Sequence, residues 1–425
     1  MILHWLLLSA ADIVLALCVA ILAWVAFGMI VLIVRFVRDE RRLGRDKSEP
    51  VCPPITGDIP HVLVQLPVFN EPRVVENVLR TAAALDWPRD KLTIQLLDDS
   101  TDNTSDIAAS VAAELRDGGT NVQHVRREDR SGFKAGALAA GLQLCDASYI
   151  AMLDVDFRPP RDWLKCVVPL LLADAKAGFA QSRCEFTNYD KNWITRAQGL
   201  LLDAHFLVEQ QTRARAGWLF QFNGTGGIWR RAAIEAAGGW SAYSITEDLD
   251  LAIRAKLAGW HGIFVAEPAI PGQVPDTMRN WRRQQRRWSN GFVQVAQRTC
   301  GRMLRAPWPL GEKLSALSMI TMQAFFPAVA IGFVALVLGF LLRGMDLRPY
   351  VPELVLSTIM ATIVVLGMTL PPYIALKRGP LLRYMQTVLL LPFLMMYLSG
   401  ANAPKILQTL RGRTEMFKRT PKLEA

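Results

Sequence analysis

The chain has 425 residues, 51% of them apolar and 20% charged, with 48 Lys and Arg against 38 Asp and Glu, and its mean hydropathy is +0.20. The apolar excess sits in long uncharged runs at the two ends, which excludes a disordered chain, a secreted disulfide scaffold and a wholly soluble enzyme. The net charge of +10 leaves anionic lipid, phosphate and nucleic acid as partners to be told apart by where the charge lies.

Residues 13 to 34 contain no Asp, Glu, Lys or Arg and exceed the roughly 20 residues that a membrane-crossing helix needs. The run is too long for the core of a cleavable signal, so residues 1–36 are read as a retained transmembrane anchor. Arg35, Arg38, Arg41, Arg42, Arg45 and Lys47 follow it and place its C-terminal side in the cytosol by the positive-inside rule. A Pro-rich linker, 37–60, leads into a cytosolic body, in an inner membrane or an endomembrane. Six cysteines are scattered through the chain with no C-x-x-C pair, so neither a zinc knuckle nor a disulfide framework is expected.

Within 61–275, strand-like runs at 61–66, 91–97, 121–125 and 148–154 alternate with helix-like runs. This βαβ order implies an α/β body with a parallel sheet whose ligands gather at the C-terminal strand ends. Residues 276–313 read as amphipathic interfacial helices. Two spans follow, 314–342 and 351–376. A shorter apolar stretch, 383–400, carries Pro392 and is read as a short transmembrane or re-entrant helix, ahead of a basic cytosolic tail over 401–425.

The chemistry is concentrated at the predicted strand ends. Asp154 and Asp156 form a D-V-D pair that supplies two hard oxygens for Mg²⁺ or Mn²⁺, provided a diphosphate completes the shell; a solvated turn is the plain alternative. Asp98 and Asp99 end a second strand, and four carboxylates converging at one edge would call for a cation. Lys134 opens a helix after Gly132, where a cation and free backbone N–H groups would favour a pyrophosphate. The alternative is that the small residues around it merely allow close helix packing. No Walker loop or G-x-G-x-x-G follows a strand, which argues against an ATPase or a dinucleotide enzyme. Thr246, Glu247 and Asp248 open another helix: an N-cap with dipole partners accounts for Glu247, while Asp248 is a general base if it faces the same cleft.

From 279 to 305 there are eight Arg and no Asp or Glu, a pattern that suits nucleic acid, anionic headgroups or a phosphate-facing site. Nucleic acid is disfavoured because a span follows directly. On a helix Gln284, Arg287 and Trp288 share one face, which unites an amide, a guanidinium for a diphosphate and an indole for a sugar ring.

In this order, PVFNE, DDS, GFKAGAL, DVD, FNGTGG, TED and QQRRW resemble the family 2 membrane glycosyltransferases, and most of all the cellulose-synthase-like A and C enzymes that make β-mannan and β-glucan backbones. The resemblance covers about residues 60 to 300, and FKRTPK at 417–422 looks like the gating loop of such enzymes. It implies a GT-A, Rossmann-like cytosolic domain plus transmembrane helices. The implied activity is that of an inverting hexosyltransferase using a nucleotide-diphosphate sugar, UDP-glucose or GDP-mannose.

On the same resemblance, Phe69, Asn70 and Glu71 with Asp98 and Asp99 bind the nucleoside, and Lys134 and Asp154 the diphosphate. Asp156, with Asp154, takes the metal, and Asp248 is the base. Gln284 and Arg287 hold the departing diphosphate, Trp288 the acceptor sugar, and Phe222, Asn223, Gly224 and Thr225 the acceptor's entry. The implied partners are a growing glycan or a lipid acceptor and membrane lipids. With two or three spans after the body, a polymer conduit requires a small channel, a homo-oligomer or export partners. A single-transfer enzyme acting on a lipid and a catalytically silent membrane scaffold are the competing functions.

Overall fold

The computed structural model describes residues 2–43 and 52–412 and divides into two compact units. The FKRTPK motif and the linker's middle lie outside the described residues.

The chain order opens with α1 (Ile2–Leu43), β1 (Val62–Val68), α2 (Val75–Ala83), β2 (Leu92–Asp98), α3 (Thr104–Asp117), β3 (Val122–Arg126), α4 (Phe133–Leu142), β4 (Tyr149–Met152), α5 (Trp163–Ala173) and β5 (Ala177–Phe186). It continues with α6 (Trp193–Ala204), a π-helical turn (His205–Gln210), α7 (Gln211–Arg215), β6 (Gly227–Arg230), α8 (Arg231–Ala236), α9 (Glu247–Leu257) and β7 (His261–Gly272). Among the described residues the helices that follow are α10 (Met278–Arg305), α11 (Leu310–Thr321), α12 (Phe325–Leu342), α13 (Val351–Ala375) and α14 (Leu381–Leu410).

The α/β unit, residues 45–191 and 213–276, is built on a seven-stranded sheet of order β3-β2-β1-β4-β6-β5-β7. Among the described strands β6 alone is reversed: it pairs antiparallel with β4 and β5, and the other pairings are parallel. Helices cover both faces of such a sheet, so β1 and β2 are buried almost end to end rather than on alternate residues. The core gathers Leu63, Leu138, Ile150, Phe179, Trp229 and Leu251. Two buried glutamines in the central strands are linked across the sheet: Gln65 Nε2 donates to Gln95 Oε1 at 3.0 Å, and Gln95 Nε2 donates to Gln123 Oε1 at 2.9 Å and to the Gly141 carbonyl at 3.0 Å. A Cβ at Gly141 would lie 2.2 Å from Gln95 Oε1, so glycine there lets α4 seat on the glutamine ladder. Registers Val68↔Asp98 and Asp98↔Arg126 bring the C-terminal ends of β1, β2 and β3 side by side.

The second unit joins 1–44, 192–212 and 277–416. Among the described residues, four helical stretches are long and apolar enough to cross a membrane: Ile2–Arg42, Leu310–Leu342, Arg348–Ala375 and Leu381–Leu410. Its core packs Ala197 and Leu200 of α6 with Trp281, Tyr373, Tyr384, Leu391 and Leu398. Three boundaries differ from the sequence reading. Residues 192–212 do not belong to the α/β body, because α6 buries its apolar face among these helices and Asp203, fully buried, accepts from Arg378 Nε and Nη2 at 2.8 and 2.9 Å. The interfacial region is one 28-residue helix, α10, followed by α11. Finally, α14 is a single 30-residue helix through Pro392 and Pro404, since its buried face runs on from Leu391 and Leu398 to Ile406 and packing sustains the turns that proline weakens. Residues 401–410, read as tail, are therefore helical.

Candidate active site

At the end of β2, Asp98 is 1% exposed and accepts three hydrogen bonds: from the Ser100 backbone N–H at 2.8 Å, the Ser105 hydroxyl at 2.6 Å and His124 Nε2 at 2.9 Å. Burial works against the charge, but the bonds from His124, Ser105 and Ser100 outweigh it and hold the carboxyl well below the usual carboxylate range. Asp99 is gripped from β3's end by Arg127, Nε at 2.9 Å and Nη2 at 2.5 Å, and Arg130 Nε stands 3.8 Å away. The Arg130 guanidinium carbon lies 3.3 Å over the Phe69 ring. Asn70, at φ 55°, is fixed by Ser100 Oγ, which accepts from its N–H at 2.9 Å, and its Oδ1 accepts from the Thr101 N–H at 2.8 Å. Glu71 is buried. Asp98 and Asp99 thus have partners of their own and do not require the cation that four converging acids would need.

The second cluster surrounds Lys134 at the start of α4. Its ammonium donates to Asp154 Oδ1 at 2.7 Å and to the Gly224 carbonyl at 2.8 Å, with Glu247 Oε1 at 3.8 Å. Burial alone would lower its pKa, yet Asp154 and Glu247 hold it above the ordinary lysine value. Gly224, at φ +73°, is the close point of the FNGTGG loop: a Cβ there would lie 2.7 Å from Asp248 Oδ2 and 3.4 Å from Lys134 Nζ. Thr225 Oγ1 accepts from the Asp154 N–H at 3.0 Å, which pins this loop to the D-V-D turn. Asp248 is pushed up to about 7, first by burial and then by the neighbouring Glu247 charge, with Lys134 pulling the other way. A carboxyl poised there exchanges protons near neutral pH.

Thr246 stands at the N-cap of α9 but makes no side-chain cap, because its hydroxyl pairs with Ser244 Oγ at 3.0 Å. Glu247 is accordingly a member of the Lys134 cluster and not a simple dipole partner. Phe222 is 1% exposed, edge-on to Phe179, so it supports the loop from the core rather than lining an entrance. Asn223 is held by its N–H donating to Gln181 Oε1 at 2.8 Å. Gln284, Arg287 and Trp288 all lie on α10, in the helical unit.

A divalent cation fits Asp154 and Asp156. They are two hard oxygen donors with one residue between them, the Asp154 side chain is 30% exposed, and their joint negative charge adds to burial in pushing up the Cys184 thiol behind them. Sequence reasoning missed Arg127, Arg130, His124 and Glu247. The basic run RREDR at 126–130, which follows the strand-like run at 121–125, carried a signal for the two arginines.

A family model described as glycosyltransferase like family 2 matches residues 60–291. The chain is 42% identical over 260 residues to the probable glucomannan 4-beta-mannosyltransferase 4 of Oryza sativa subsp. japonica, covering 59% of this chain and 47% of that protein. It is 40% identical over 256 residues to glucomannan 4-beta-mannosyltransferase 9 of Arabidopsis thaliana, covering 58% and 48%. The chain spans about half the length of the curated relatives it matches. Among solved structures, a mannosyltransferase from Pyrobaculum calidifontis in complex with GDP-Man and Mn²⁺ aligns with a TM-score of 0.57 at 23% identity, over 84% of this chain and 98% of that one. That likeness is one of fold, the GT-A arrangement.

Proposed function

Since the chain belongs to glycosyltransferase-like family 2, its model matching residues 60–291, we propose that it is a membrane-anchored, inverting hexosyltransferase that extends a β-glycan from a nucleotide-diphosphate sugar at the cytosolic face. GDP-mannose is the favoured donor, on the names of the relatives, and UDP-glucose the other. The observation that carries the reading is Asp248, a carboxyl raised to about 7 beside an ammonium and the D-V-D pair.

In the proposed reaction Asp248 accepts the proton of an acceptor hydroxyl as that oxygen bonds to the anomeric carbon. The bond from that carbon to the β-phosphate oxygen breaks on the opposite face, and its electron pair leaves with the nucleoside diphosphate. One displacement inverts the centre, so an α-linked donor yields a β-linkage. Phe69, Asn70, Glu71, Asp98 and Asp99 shape the nucleoside end, and Lys134 turns from Asp154 toward the diphosphate. Asp154 and Asp156 would hold Mg²⁺ or Mn²⁺, which offsets the charge of the leaving group. Asn223, Gly224 and Thr225 are assigned to the acceptor's approach. On sequence pattern alone, Gln284 and Arg287 are assigned to the departing diphosphate and Trp288 to the acceptor ring.

The test is a panel of radiolabelled GDP- and UDP-sugars with membranes carrying the chain, with product sizing by chromatography. A polymer from one donor supports the reading; a single sugar on lipid moves it to the single-transfer enzyme; no turnover of any donor with either metal removes it.

A further inference from the structure

We infer that Cys52 and Cys166 form a reversible thiol–disulfide clasp that fastens the segment ahead of β1 to the α/β unit. The sequence pattern led away from any disulfide, yet the two sulfurs are bonded across a separation of 114 residues. The partners are unequal. Cys166 lies in the first turn of α5 and is 3% exposed, on a helix anchored by Trp163, whose buried indole donates to Ser182 Oγ at 2.9 Å. Cys52 is exposed. Further along the segment Pro53 and Ile55 are half-buried, and the Pro60 carbonyl accepts from Trp87 Nε1 at 3.1 Å. The stretch from 52 to 60 is thus a strap with one noncovalent end and one end whose attachment depends on redox state.

Exposure at Cys52 gives a small thiol a path to the bond, which is what separates a labile disulfide from a structural one. Oxidation balances with a low-molecular-weight disulfide such as oxidised glutathione. The Cys52 thiolate attacks one of its sulfurs and expels a first thiolate. The Cys166 thiolate then attacks Cys52 Sγ and expels the second. Two protein protons leave with the two released thiols, and reduction is the reverse. The Asp162 carboxylate, with Oδ2 4.0 Å from Cys166 Sγ, completes a three-donor group with the two sulfurs, so zinc is the competing occupant of the reduced pair.

The experiment uses the full chain, isolated without reductant, acid-quenched and alkylated before peptide mapping. The clasp predicts a Cys52–Cys166 linked peptide. It also predicts that a dithiol opens the link, with Cys52 labelled before Cys166 and the buried Cys184 unlabelled, and that oxidised glutathione restores it. The oxidised chain should melt at a higher temperature than the reduced one, and Cys52→Ser should melt alike with and without dithiol. Free Cys52 and Cys166 thiols in never-reduced protein, one zinc per chain released on alkylation, or equal melting of the two wild-type forms would each overturn the inference. None of these readouts depends on glycosyl transfer.

Discussion

Gly224→Ala tests the geometry around Asp248 at a single atom. The glycine sits at φ +73°, where a residue with a Cβ is disfavoured by about 1 to 2 kcal/mol. The added carbon would also stand 2.7 Å from Asp248 Oδ2, against an ordinary carbon–oxygen contact of about 3.3 Å. Relief requires the carboxylate or the loop to shift by roughly half an ångström, and misplacement of reacting groups by about 1 Å can cost a factor of about 10². The variant should therefore lose about 1 to 2 kcal/mol of stability and about ten- to a hundredfold in transfer rate, while nucleotide affinity falls less than the rate, since the residues proposed for the nucleoside end, Asp98 and Phe69, lie outside the Gly224 loop. Thermal melting, initial rates with saturating donor and nucleotide titration calorimetry measure the three. Full transfer activity in a folded Gly224→Ala chain would show that Gly224 and Asp248 do not face the reacting atoms.

Because the Asp248 carboxyl is raised to about 7, kcat/KM should climb with pH to a plateau above that value, and Glu247→Gln, by removing a like charge, should move the climb to lower pH; an unmoved profile would separate Glu247 from the base. The same shift makes the group cost stability as pH rises. Below its ordinary range near 4 both folded and unfolded chains hold the proton, between there and 7 only the folded one does, and above 7 the folded chain carries the whole penalty. Arg127→Gln leaves Asp99, 7% exposed, without its bidentate partner and should cost about 3 kcal/mol in denaturant unfolding; a loss under about 0.5 kcal/mol would make the pair a surface one. Chelation should weaken donor binding to the wild type, and Asp156→Asn should bind donor weakly with or without metal; unchanged metal dependence would take Asp156 out of the site.

The strands that carry the proposed donor site were legible because β1, β2 and β3 are apolar runs ended by acidic or basic clusters, and the parallel order followed from the helices between them. The far side of the sheet was not. β6 is four residues long and hides between the FNGTGG loop and α8, so its reversed direction leaves no periodicity to read. The charged pairings were invisible for a related reason: Arg127 reaches Asp99 through strand register, and chain spacing does not encode register. Phe222 was misread because its motif neighbours Asn223 to Thr225 form the loop while its own ring turns into the core. The Cys52–Cys166 bond joins residues 114 positions apart with no spacing signature, and α6 looked like part of the body because its burial partners come from α13 and α14.

Asp248→Asn, examined in a single turnover with donor and acceptor both bound, tests the central claim most directly. The amide keeps the shape of the carboxylate but takes no proton, so transfer should fall by about 10² to 10⁴ while donor affinity, measured by calorimetry on the same sample, stays within about threefold, roughly 0.7 kcal/mol. Transfer at the wild-type rate, or a donor affinity that falls as far as the rate, would contradict Asp248 as the base.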